Sequence, residues 1–126
     1  MSWSAFACRV VKDAWGPSKD DMFPIEEGDQ ALPAFEAAAS RLELETGGVD
    51  PRLPAGRLSL KDCLHCFNEA TGNVGHSGRW TPDEVKALAA KANWSFGVDN
   101  EAIPAWASAR AFLNLCAEHG LGIEHD

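Results

Sequence analysis

Trp80-Thr81-Pro82-Asp83-Glu84-Val85 marks a helix start more sharply than any other stretch of the chain. Thr81 can accept hydrogen bonds from the first free amides. Pro82 supplies a preset φ where no N–H is required, and Glu84 can reach back to close a capping box. Trp80 and Val85 occupy the two positions of a hydrophobic staple. Upstream, Gly72-Asn73-Val74-Gly75-His76-Ser77-Gly78 reads as a loop that turns the chain between two helices. The second half is therefore expected to be helices hinged about a glycine-rich corner.

Working outward, the helix from Pro82 to Ala92 is expected to bury Val85, Leu88, Ala89 and Ala92. Ser59 with Asp62 forms a second capping box ahead of Leu60, Cys63, Leu64 and Phe67, while Val49 to Gly56, with Pro51 and Pro54, is an extended connector. Asn93 to Asn100 reads as a loop or short extended piece. A last helix starts near Asp99 or Asn100 and runs to His119, with Trp106, Ala109, Phe112, Leu113 and Cys116 inward. Gly120 is its left-handed cap and Leu121 the apolar residue that follows such caps. Gly122 to Asp126 reads as a tail or edge strand.

Toward the N-terminus, Leu32, Phe35, Ala38, Ala39 and Leu42 share one helical arc, with Asp29 as a cap and Pro33 in the first turn. Pro17 to Gly28 reads as a surface loop. Ser2 to Trp15 places Trp3, Phe6, Ala7, Val10 and Ala14 at helical spacing before Gly16-Pro17; a strand from Trp3 to Val11 is the rival. The expected fold is one mainly α domain over residues 1–126, a compact bundle of four to five helices. A short strand pair formed by the chain ends is its α+β alternative.

Composition narrows the function classes. The 126 residues carry 19 acidic and 11 basic side chains, a net charge of −8 that opposes nucleic acid and anionic lipid as partners. Asp20 to Asp50 holds nine acids against Arg41 alone, so the excess lies in one window. A solvated face is the plain use of such a window; a docking surface for a basic protein is the functional one. The docking candidates are Asp20, Asp21, Glu26, Glu27, Asp29, Glu36 and Glu43, with Trp15 and Trp94 as partly exposed anchors. No apolar run is long enough for a membrane span and Met1 to Lys12 lacks signal-peptide features, so the cytoplasm is the expected compartment.

Catalytic and cofactor signals are weak. Cys63-Leu64-His65-Cys66 has the spacing of two zinc ligands, with His76 as a third, but no second pair completes a tetrahedral site. On a helix, Cys63 would sit on the apolar arc, and Ser59 rather than a cysteine holds the cap that redox chemistry would need. Cys8 and Cys116 read as small core residues. Gly72, Gly75 and Gly78 match neither a P-loop nor a dinucleotide fingerprint, and Gly75-His76-Ser77-Gly78 is no nucleophile elbow. The expectation is a protein-binding domain without catalysis or cofactor, in concrete form a bacterial-type immunity or inhibitor protein masking a basic surface. A small zinc-binding or enzymatic domain centred on Cys63, Cys66 and His76 is the alternative.

Overall fold

Residues near the two ends of the chain pair at the middle of a sheet. In the computed structural model, which describes residues 4–10, 22–45, 56–59, 78–95 and 104–125, β1 (Ser4–Val10) runs antiparallel to β5 (Gly122–His125). Ala5 lies opposite His125, Ala7 opposite Ile123 and Cys8 opposite Gly122. Beyond β5 comes β4 (Gly78–Trp80), with Trp80 opposite Ile123. The other side of β1 is shared. β3 (Arg57–Ser59) covers Ser4 to Phe6, and β2 (Met22–Pro24) covers Cys8 to Val10. Five strands thus fill four positions, all antiparallel.

Three helices complete the described residues: α1 (Leu32–Glu45), α2 (Pro82–Ser95) and α3 (Pro104–Glu118). Both α1 and α2 pack against α3. Ala5, Ala7 and Ile123 on one sheet face join Phe35, Val85, Phe112, Leu113 and Leu121 in a single buried cluster. The alanines of β1 leave room for the aromatic residues of the helices, and the rings of Phe35 and Phe112 meet with centroids 5.9 Å apart. Each of those two side chains contributes roughly 1.5–3 kcal/mol by leaving water.

This architecture overturns the expected bundle of four to five helices. The fold is α+β, and its centre is the N-terminal segment, where the structure shows the strand that rivals a helix in the sequence and pairs it with the C-terminal strand, as in the α+β alternative. β1 is buried on both faces: Ala5 and Ala7 on one, Ser4 and Cys8 on the other. A strand covered on both sides loses its polar alternation and reads as a continuous apolar run, which periodicity alone does not separate from a helix. Alanine, a poor strand former, deepens the ambiguity. β5, expected as a tail or edge strand, is central. β2 lies where a loop was expected, with Pro24 at its last position on an outer strand, where a missing N–H is tolerated. Gly78 belongs to β4, so α2 follows a strand rather than a helix–helix corner. The predicted Ser59–Asp62 box and the Gly72–Ser77 loop lie outside the described residues, apart from Ser59 itself at the end of β3.

The local signals at helix ends are realised. Thr81 N–H donates to Glu84 Oε1 at 3.1 Å and Glu84 N–H to Thr81 Oγ1 at 3.4 Å, with Val85 fully buried one residue on. α3 ends in a Schellman motif: Leu121 N–H donates to Cys116 O at 2.8 Å and Gly120 N–H to Ala117 O at 3.3 Å, with Gly120 at φ +66°. That turn delivers Leu121 into the core and starts β5.

The two glycines flanking Leu121 serve different needs, which substitution separates. A Cβ at Gly120 meets open space, so Gly120→Ala should cost only the left-handed backbone penalty, about 1 kcal/mol. At Gly122 a Cβ would press on Met22 Sδ and stand 2.7 Å from Trp80 O, so Gly122→Ala should cost about 3 kcal/mol. Urea denaturation of both variants checks the ranking; equal losses would contradict it.

Candidate functional site

The connection from β2 to α1 is pinned at both ends. Ile25, buried, donates its N–H to Ala7 O at 2.9 Å, which holds the start against β1. Four residues on, Asp29 N–H donates to Glu26 O at 3.0 Å and closes a tight turn through Glu27 and Gly28, whose φ of +92° suits glycine. Asp29 then caps the entry to α1 as expected: its Oδ1 accepts from Ala31 N–H at 2.9 Å and its carbonyl from Leu32 N–H at 3.2 Å.

The same carboxylate anchors Arg9 of β1. Arg9 Nη2 donates to Asp29 Oδ1 at 2.7 Å and Nε to Oδ2 at 3.1 Å, a two-pronged pair. Its remaining arm, Nη1, lies 3.4 Å from His119 O just past α3, where a guanidinium also complements the helix dipole. One arginine therefore ties β1, the start of α1 and the end of α3. Hydrogen bonding from Arg9 holds the Asp29 carboxyl below the usual aspartate range, and the same bond raises Arg9.

Around this clamp runs a groove of about 440 Å³ lined by Arg9, Phe23, Pro24, Ile25, Glu26, Glu27 and Asp29. Phe23, opposite Arg9 in the strand register, is 56% exposed, and it is the large exposed hydrophobic side chain among the described residues. Pro24, Glu26 and Glu27 are exposed beside it. Arg9 and Asp29 cancel each other, so the two glutamates set the sign of the groove.

Of the residues singled out in the sequence, Glu26, Glu27 and Asp29 are brought together here. Glu36 is exposed on α1, and Glu43 lies further along the same helix. Trp94 falls within α2, which continues to Ser95, rather than in the expected loop. Asp20, Asp21, Trp15, Cys63, Cys66 and His76 lie outside the described residues; among those described, no three His, Cys, Asp or Glu side chains cluster in a way that could hold a metal. Sequence reasoning passed over Arg9, Phe23 and Pro24. The one signal available was an aromatic residue standing among acids in a stretch otherwise composed like a solvated loop.

The described thiols are not part of any such surface. Burial pushes Cys8 up to about 12, with the nearby Glu124 adding to the shift, and burial raises Cys116 still more firmly. Both are free and buried. Fold and corner together define an α+β domain bearing an acidic groove with an exposed aromatic wall. Neither the family models, the characterised proteins nor the solved structures compared with this chain give a match.

Two outcomes follow from this geometry. Asp29→Asn keeps a capping side chain but loses the ion pair, and should cost about 1 kcal/mol at neutral pH, since the 43% exposed Arg9 side chain leaves the pair open to solvent screening. Because the folded-state pKa of Asp29 is depressed, that gap should be fully present above about pH 4 and close as the pH falls through the depressed value. Urea midpoints of both proteins across this range test it, a constant gap being the contrary result. Separately, iodoacetamide at pH 8 should label Cys8 and Cys116 only once the chain is unfolded, as peptide mass mapping would read; ready labelling of the folded protein would contradict their burial.

Proposed function

We propose that this is a protein-binding domain without catalytic activity, working in the cytoplasm and docking a basic partner on the corner between β2 and α1. The observation that carries the reading is the placement of Glu26 and Glu27 on a turn pinned at both ends, beside a 56% exposed phenylalanine. An ordered turn has little freedom left to lose on binding, so its contacts translate into affinity more fully than those of a loose loop. The exposed ring supplies the apolar anchor that polar rims surround in protein interfaces. The wider acidic window, including Glu36 on α1, supplies long-range attraction that speeds encounter with a cationic surface. An immunity or inhibitor protein covering the basic face of a toxin or nuclease is the concrete form of this reading. Among the described residues no helix is long and apolar enough to cross a membrane.

Asp29, one of the acids in the original docking set, is engaged by Arg9 and belongs to the scaffold of the corner. The test therefore leaves it intact. Wild type and a Glu26→Lys/Glu27→Lys/Glu36→Lys variant serve as paired baits for proteins of the source cells, followed by association kinetics of whatever is recovered. A basic protein retained by wild type alone, with an on-rate that falls at least tenfold from low to high salt, is the expected result. Recovery of nothing, or of a partner indifferent to both charge reversal and salt, would defeat the reading.

A further inference from the structure

We infer that the groove beside Phe23 receives an arginine side chain of the partner, stacked on the Phe23 ring and paired with the carboxylates of Glu26 and Glu27. This rests on the protein-binding reading above and deepens it by naming the contact at the corner.

Charge complementarity selects the occupant. Among the described residues, Arg9 is the one cation lining the groove and is matched by Asp29, so Glu26 and Glu27 make its described wall negative. A cationic guest is favoured and an anionic one is opposed. Between the two cationic side chains the exposed ring decides. A guanidinium is planar, weakly hydrated and stacks on aromatic faces while its edge forks toward carboxylates; an ammonium is a compact, strongly hydrated point charge. Phe23 and the two glutamates meet both halves of that requirement, whereas a purely electrostatic patch would need no aromatic wall. The groove's own Arg9–Asp29 pair, two-pronged at 2.7 and 3.1 Å, leaves Asp29 no competing role toward the guest. Pinning of the Glu26–Asp29 turn fixes the backbone from which both glutamates extend at the groove wall.

Two blocked peptides of equal length and charge, one rich in arginine and one in lysine, serve as probes in calorimetric titrations at low salt. Wild type should bind the arginine peptide about threefold to fivefold more tightly than the lysine peptide. Phe23→Ala should abolish that preference, and Phe23→Trp should enlarge it. Phe23 is exposed, so both variants should keep the thermal midpoint of wild type, which a melt verifies. Glu26→Gln/Glu27→Gln should weaken both peptides together. If both peptides bind alike, Phe23→Ala changes nothing and the double glutamine variant still weakens both, the arginine pocket is overturned while the acidic docking surface stands. If neither peptide binds, or binding ignores the glutamate changes, the pocket is overturned, and the paired-bait experiment above decides the broader reading by itself.

Discussion

Antiparallel pairing of β1 with β5 is the constraint on which the other elements depend. It joins residues 5–8 to residues 122–125 and so encloses almost the whole chain between its two strands. Contacts of such wide separation are slow to form because loop-closure entropy is spent before packing returns it. Local chemistry at one end eases the problem. The Schellman turn after α3 sets Leu121 in the core and aims β5 along the sheet, so the strand on which β1 pairs is supported by α3. Tight tolerances at Gly122, with Met22 on one side and the Trp80 carbonyl on the other, show how closely three strands meet there.

The β2–α1 corner is a direct outgrowth of that pairing. β1 extends past its partner β5, whose pairing ends at Cys8 opposite Gly122, and the next residue is Arg9. Freed from β5, Arg9 reaches both His119 at the end of α3 and Asp29 before α1. Sheet register thereby dictates where the β2–α1 turn sits, and the turn dictates where Glu26 and Glu27 point. Phe23 is placed by the same register, as the residue opposite Arg9. Directly opposed residues share a sheet face, so Phe23 and Arg9 line the same groove although fourteen positions part them in the chain.

What could be read from sequence divides along this line. The Thr81–Glu84 box, the Gly120 cap, the inward arc of α3 from Ala109 to Cys116 and the capping role of Asp29 are satisfied within a few residues, and each was legible. β1 was legible only as the rival of a helix, because burial on both faces weakens the polar alternation that identifies a strand. β5 offered four residues, too few to show a period. The glutamates of the corner were visible as charges, but nothing local distinguished Asp29 from its neighbours as the acid already taken by an arginine twenty positions earlier. Phe23 was hidden for the same reason, since its significance comes from a cross-strand partner. Favouring helix over strand at β1 therefore concealed the β2–α1 corner as well as the sheet.

Separating the engaged acid from the available ones changes what the −8 net charge means. At physiological ionic strength fields decay over about 8 Å, so a partner at a distance senses the summed window, whereas a side chain inside the groove senses only the carboxylates on its walls. Charge number and charge placement thus act on different stages of one encounter. In the proposed docking, the acids from Asp20 to Asp50 set how fast a cationic surface arrives, and those away from the β2–α1 corner are interchangeable at little cost. In that proposal Glu26 and Glu27 act after arrival, and their effect depends on the turn that Arg9 and Asp29 hold in place. In that proposal a salt bridge with modest stability of its own has its larger consequence in binding, because releasing it would loosen the turn backbone and add its ordering entropy to the cost of association.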